Sequence, residues 1–557
     1  MIYFNPDFTQ PRGESMEDDK EQFQDIDYFK PNDEFNSMLL NTTIREIALQ
    51  NAFDAFERED NTSPTFVVKI SKGQIDIRQI PYFNELRENV QYAINETGNS
   101  AAGQRSKGAF ERFMEASNKN NGVLTYLKIE DNGGGLDGTG YRDSFTTGMG
   151  SILAQGLGSG DQRSGGSFGK GGKTAQFLSA TRTIYYHNHR NEKDFCIGVT
   201  SLPAWEVKDP DGGFDSKGMA IYNTCEEQDL NATKPKWASD KSDFPEDITR
   251  TIEGDGLTVT SIGVTLSNEW EYECIFAILT SHLPKLLDYS SEGIEWEFQV
   301  GSLKMNMSNV LELCESIPNQ SFFTQRGAAV MKLHYQMCMD LLHYRLDNHS
   351  PLETKNQFET GYTSKDGAQR KVVIDLLFGS SNEIKLASSD ENDELLRTNH
   401  FLFVRNGMII RTDKYTTGLK SKNILRLENT DIKCYGFLNL DSITTDTHRV
   451  FKKLENPSHD TLKLDRIDRD GDEEFLPKTK TGMSQIMGRI HTHIINYCQE
   501  LRPKSSGEAS ISFLKSLAGE DPSSENELEL TYVLQRKERV IYPTPPRPVP
   551  PTPPLPN

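Results

Sequence analysis

The sequence predicts an α/β fold, and three observations predict it. Apolar runs of strand length, such as 123–129 and 257–266, alternate with stretches whose apolar residues recur at three- and four-residue steps. One such run ends in Asp131-Asn132-Gly133-Gly134-Gly135-Leu136, a carboxylate followed by three glycines at a strand end. An Asn406-Gly407 pair lies between two further apolar runs, the signal of a tight hairpin with positive φ at both turn residues. A chain of 557 residues with this pattern holds two or three domains, each able to bury a core.

Residues 1–37 are acidic, carry Pro6, Pro11 and Pro31, and show little periodicity, so they read as a flexible arm of the kind that can strap a dimer partner. From Met38 to about Phe56 the pattern is helical, through Leu39, Leu40, Ile44, Ile47 and Ala48. Strands are expected at 65–70 and 75–80 and helices at 82–94 and 105–117, before the strand that ends at Asp131. Glycine then crowds residues 137–172, a long loop with little to bury, which is the composition of a lid. It closes in Gly166-Ser167-Phe168-Gly169-Lys170-Gly171-Gly172-Lys173-Thr174 and a helix through Ala180. Strands at 183–187, 195–200, 218–222 and 257–266 and a helix at about 270–287 complete the first domain, 38–287.

A second domain, 288–502, is expected from a helix at 328–345, strands at 371–378 and 435–440, the 401–410 hairpin, and helices near 446–454 and 481–499. Residues 503–557 end in a proline-rich stretch from Tyr542 that is extended polyproline and packs no core, a disordered tail through which protein partners could dock.

Lys plus Arg number 61 against 82 Asp plus Glu, a formal charge of -21. So acidic a surface repels nucleic acid in bulk, and a DNA contact would need a local basic patch. The seven cysteines are odd in number and form no CxxC pair, which points to a reducing compartment and away from a zinc site or disulfide framework. An acidic N-terminal segment and the lack of a membrane-length apolar run give the expectation of a cytoplasmic protein that does not enter the membrane.

Asn51 and Asp54 are three residues apart on the first helix and face the same way, a costly pairing on a buried face unless it binds something polar. The small residues before Thr174 leave amides free at a helix start, a ready anion site. This loop is not a Walker loop, since Ser167 stands where the first glycine is required and no buried strand leads in.

Three stretches in order together resemble the GHKL ATPase superfamily: gyrase B subunits, ninety-kilodalton heat-shock chaperones, histidine kinases and MutL. Arg45-Glu46-Ile47-Ala48-Leu49-Gln50-Asn51-Ala52-Phe53-Asp54-Ala55 is similar to its first motif, Asp131–Gly135 to its adenine motif and Gly166–Gly171 to its lid motif. Phe401–Ile410 resembles a strand of the transducer domain that follows the ATP site in that group. Leu454-Glu455-Asn456-Pro457-Ser458-His459-Asp460 resembles a segment of MORC ATPases.

The resemblance implies a Bergerat-type two-layer α/β sandwich followed by an S5-like transducer domain. It implies ATP and Mg²⁺ as ligands, with Asn51 completing the metal shell and Asp54 beside it. Asp131 would accept from the adenine amino group, and Gly133 and Gly135 would line the base. Gly166, Phe168, Gly169, Lys170, Gly171, Gly172, Lys173 and Thr174 would hold the phosphates. Thr258 is the expected contact from the last strand, without the glycine that the family places before its threonine. Lys463 would reach the γ-phosphate, with Lys453 and Arg449 as alternatives.

The family's catalytic glutamate stands four residues before the asparagine, where this chain has Ile47; Glu46 is one residue early, about 100° off that face in a regular helix. Either a local bulge brings Glu46 round, or hydrolysis is slow, or the site only binds ATP. The expectation is an ATP-driven switch that dimerises on ATP, with a role in prokaryotic restriction or antiphage defence. The alternative is a non-hydrolysing ATP sensor that recruits partners through its tail. A histidine kinase is disfavoured because the first histidine is His187, after the ATP motifs.

Overall fold

In β-strands of this chain apolar residues occupy both phases of the alternation, so the sheet they form is covered on both faces. The computed structural model describes residues 2–4, 33–57, 63–81, 83–96, 101–136, 174–208, 214–222, 244–326, 329–346, 352–363, 369–381, 400–410 and 433–439. All of them belong to one compact unit, Met1–His493, while a second unit, Ile494–Asn557, lies outside the described residues. So do the expected lid, the expected helices near 446–454 and 481–499, and the proline-rich tail.

Nine described strands form the first sheet: β1 (Ile2–Phe4), β2 (Thr65–Asp76), β3 (Val123–Asp131), β4 (Ser179–Arg190), β5 (Lys193–Lys208), β6 (Phe214–Tyr222), β7 (Gly256–Val264), β8 (Glu295–Val300) and β9 (Leu303–Asn306). Their order is β1-β6-β5-β4-β7-β3-β2-β8-β9, antiparallel except for the β2–β8 pair. The two strands expected at 65–70 and 75–80 are one continuous strand, and the sheet continues past residue 287 into β8 and β9.

The helices are α1 (Asp33–Thr43), a π-helix (Ile44–Asn51), α2 (Ala52–Phe56), α3 (Phe83–Glu96), α4 (Ala101–Asn118), α5 (Thr174–Leu178), α6 (Trp270–Ser291), α7 (Val310–Glu315), α8 (Ser321–Arg326) and α9 (Ala329–Leu346). Phe66, Val68 and Ile70 of β2, with Leu127 and Ile129 of β3, share a core with Ile44, Phe53, Ile275 and Leu279. The opposite phase of the sheet, Ile75 of β2, Leu124 and Tyr126 of β3, Tyr185 of β4 and Ile262 of β7, packs on Phe83, Leu86 and Val90 of α3 and Phe110 and Phe113 of α4. The class is α/β as expected, but the two-layer expectation is corrected to three layers here. The helices between β2 and β3 carry apolar stripes of their own, which close the second face of the sheet.

Helix α6 ties the first motif to the rest. Phe53 stacks on Phe66 at 4.5 Å between ring centroids and lies 5.5 Å from His282 and 5.4 Å from Tyr289. Tyr289 donates its hydroxyl to Glu57 at 3.1 Å, and Lys285 pairs with the same carboxylate. Pro284 lies inside α6, and His282 departs from helical geometry with φ -134°, so the helix is kinked where it meets Phe53.

A second sheet, β10 (Leu352–Thr363), β11 (Gln369–Ser381), β12 (His400–Arg405), β13 (Met408–Ile410) and β14 (Lys433–Asn439), runs in the order β10-β11-β14-β12-β13. Its β12–β13 turn has φ 51° at Asn406 and 69° at Gly407, the positive pair that Asn-Gly predicts. A Cβ built on Gly407 would lie 2.5 Å from Lys285 Cβ, so the hairpin tip rests on α6. No helix among the described residues is long and apolar enough to cross a membrane.

Candidate functional site

The carboxylate that ends β3 faces the side of the sheet covered by the π-helix and α2. Asp131 lies opposite Val68, whose side chain belongs to that core, and is only 6% exposed. Its Oδ1 accepts from the Gly133 amide at 2.8 Å and, at a longer 3.5 Å, from Leu257. Burial of a carboxylate costs free energy unless donors surround it, and here two come from backbone amides.

The glycines that follow are close-approach positions. A Cβ on Gly133 would stand 2.8 Å from Ala52 O and 3.0 Å from Ala55 Cβ, so the loop lies directly against α2, one residue from Asn51. Gly135 has φ +68°, and a Cβ there would meet His189 O at 2.7 Å. Asn132 anchors the loop on its other side: its amide donates to Val67 O at 3.2 Å, its Oδ1 accepts from Val67 at 2.8 Å, and its Nδ2 donates to Thr65 O at 2.8 Å.

The first and second motifs are therefore neighbours. Asn51 and Asp54 are half-buried at the edge of an otherwise buried turn. Glu46 and Asn51 both fall within the π-helix. A π-helix closes its hydrogen bonds at i→i+5, which sets residues five apart one turn from each other. In an α-helix the same two residues would be about 140° apart. The local departure from α geometry thus removes much of the one-residue displacement of Glu46. That side chain is 3% exposed, and its Oε1 accepts from Arg45 Nε at 3.1 Å and Nη2 at 3.0 Å.

Strand β7 contributes differently from expectation. Thr258 pairs with Glu130 and His187, side chains on the face away from Asp131, where Glu130 accepts from the Thr251 amide at 2.6 Å. Its hydroxyl is fully buried there without a hydrogen-bond partner. The residues that β7 brings to Asp131 are Gly256 and Leu257: a Cβ on Gly256 would collide with Asp131 O. Thr258 is thus replaced by its two predecessors as the strand's contribution, because side chains alternate and the phase was one residue off.

The loop leading to Gly256 is braced from the second face. Lys128 Nζ donates to Thr249 O at 2.9 Å, and the Arg250 amide donates to His187 Nδ1 at 2.9 Å. Burial lowers the pKa of the Arg250 guanidinium, and the carboxylates of Asp131, Glu130, Asp255 and Asp194 push it back up. Arg250 also reaches Gly254 O at 3.3 Å, closing the turn before β7.

Thr174 opens α5, which packs on the π-helix. In the π-helix both polar atoms of the Gln50 amide, and in α5 Nε2 of Gln176, are buried without hydrogen-bond partners. Unpaired buried amides of this kind are uncommon, and they mark a place that a polar ligand could satisfy. Gly166, Phe168, Gly169, Lys170, Gly171, Gly172, Lys173 and Lys463 lie outside the described residues. Among the described residues no three His, Cys, Asp or Glu side chains are grouped to hold a metal ion.

No protein-family model matches this chain, and no curated protein matches it.

Proposed function

We propose that the chain is an ATP-binding, ATP-hydrolysing conformational switch of the GHKL type, with a Bergerat-like nucleotide domain and a transducer-like second sheet. The observation that supports this reading most is convergence. Asp131 and Gly133 meet Ala52 beside Asn51 on one side and Gly256–Leu257 on the other, from stretches about 80 and 120 residues away. The residues fit a purine's amino group: a buried acceptor stands beside glycines that seat the loop backbone directly against α2 and the end of β4.

In this reading Asp131 accepts from the adenine amino group, and Gly133 and Gly135 border the ring. The Gly166–Lys173 amides and lysines and Thr174 hold the phosphates, and Gln50 and Gln176 offer further donors. Asn51 would give one oxygen to Mg²⁺, whose charge would offset that of the phosphates. Glu46 takes a proton from the water that attacks the γ-phosphorus, the β–γ bridging bond breaks, and ADP and phosphate leave. Lys463 neutralises the γ-phosphate. Nucleotide closure of the lid favours a homodimer, and a role in prokaryotic antiphage defence is consistent with this layout.

Replacing Glu46 by Ala is expected to lower turnover by about 100-fold or more while ATP affinity changes less than about threefold. The ATP-loaded variant should accumulate as a dimer by light scattering. Unchanged steady-state ATPase activity would remove Glu46 from the chemistry.

One observation favours a second reading, a non-hydrolysing ATP sensor: Arg45 already engages Glu46 Oε1 in a buried pair. Tight ATP binding without phosphate release by the wild type, with or without partners and DNA, would select it.

A further inference from the structure

We infer that Asn188 is a positioning residue that holds the Gly133–Leu136 loop in its nucleotide-accepting form; this rests on the purine-pocket reading of Asp131. Asparagine is depleted in strands, yet Asn188 sits inside β4 and is fully buried. It pairs with Leu257 across β7, so its side chain shares the face on which Leu257 meets Asp131.

The Asn188 amide is spent on one residue. Oδ1 accepts from the Leu136 amide at 2.8 Å, and Nδ2 donates to Leu136 O at 3.1 Å. A side-chain amide thereby takes the place of a backbone partner for Leu136, five residues past the end of β3. Arg190, two residues on, donates from Nη1 to Gly134 O at 2.8 Å and Gly135 O at 3.3 Å. The last three residues of the loop thus rest on one strand end, and residue 137 begins the glycine-rich stretch expected to act as a lid.

The consequence is preorganisation. A loop of three consecutive glycines has many conformations open to it, and fixing it only on binding would cost affinity. Asn188 fixes it beforehand without being placed against the nucleotide. The part fixed borders the base, so its loss weakens every adenine nucleotide by the same factor, whatever the number of phosphates.

The test uses the full chain as wild type, Asn188→Leu, which keeps the volume and loses both hydrogen bonds, and Asn188→Ala. Calorimetry gives Kd for ADP and for a non-hydrolysable ATP analogue, and circular dichroism gives Tm without nucleotide. Both variants are expected to weaken both ligands equally, by about tenfold or more. Unchanged Kd in folded variants, whatever happens to Tm, would reduce Asn188 to a structural residue and overturn the inference. A loss confined to the ATP analogue would overturn it as well. If neither variant folds, hydrogen exchange of the wild type without nucleotide decides: a protected Leu136 amide supports the clamp, and an unprotected one overturns it. A wild type that binds neither ligand overturns the purine-pocket reading itself, and this inference with it.

Discussion

Asp131→Asn is expected to weaken ATP binding by about 100-fold or more, measured by calorimetry, with little change in the fold. The substitution preserves shape and one carbonyl oxygen, so the 2.8 Å bond from the Gly133 amide survives and the loop stays seated. What changes is the second oxygen, which becomes an NH₂ group. An adenine amino group then meets a donor where it needs an acceptor, and both are left unsatisfied in a buried site. That penalty exceeds the loss of a simple hydrogen bond, because neither group can turn to water. The charge lost also leaves Arg250 with one fewer carboxylate, a smaller effect shared with Glu130, Asp255 and Asp194. Unchanged affinity for ATP would remove the adenine assignment.

Gly256→Ala is expected to destabilise the protein by about 3 kcal/mol and to remove nucleotide binding in what remains folded. The new methyl would collide with Asp131 O, a main-chain atom in the sheet that cannot swing aside as the end of a side chain could. The same methyl would stand 2.5 Å from Arg250 Nη2, so the guanidinium that closes the turn before β7 would have to give way as well. Relief therefore requires β7 and β3 to part at the end where Leu257 meets Asp131. Chemical denaturation measures the first effect and calorimetry the second. A stability within about 0.5 kcal/mol of wild type would show that the β3–β7 junction is looser than described.

What was legible in the sequence was backbone chemistry. Three glycines after a strand-ending aspartate announce a close approach, and Gly133 makes one against Ala52 O. Asn406-Gly407 announces a turn with two positive φ angles, and has them. What stayed hidden depends on register. Thr258 and Leu257 differ by one position, and only the pairing of Thr258 with Glu130 says which of them shares a face with Asp131. Gly256, directly before Leu257, was the overlooked signal. Asn188 belongs to no motif; a single asparagine inside a β run was its only mark. Apolar spacing does not reveal the π-helix, because i→i+5 bonds over eight residues leave the pattern of 38–56 almost unchanged; its mark was the one-residue displacement of Glu46, for which a local bulge was one of the readings left open. The third layer was missed although α3 and α4 were expected, since periodicity gives a helix its apolar face without saying which side of a sheet receives it.

The central claim is a single pocket shared by the Asn51 turn, the Asp131 loop and the start of β7. Hydrogen exchange of the full chain with and without Mg²⁺ and a non-hydrolysable ATP analogue tests it most directly. The account predicts that peptides covering 51–57, 130–136 and 256–260 gain protection together, at the same nucleotide concentration. Protection absent from all three, or confined to one of them while the others exchange as before, would contradict it.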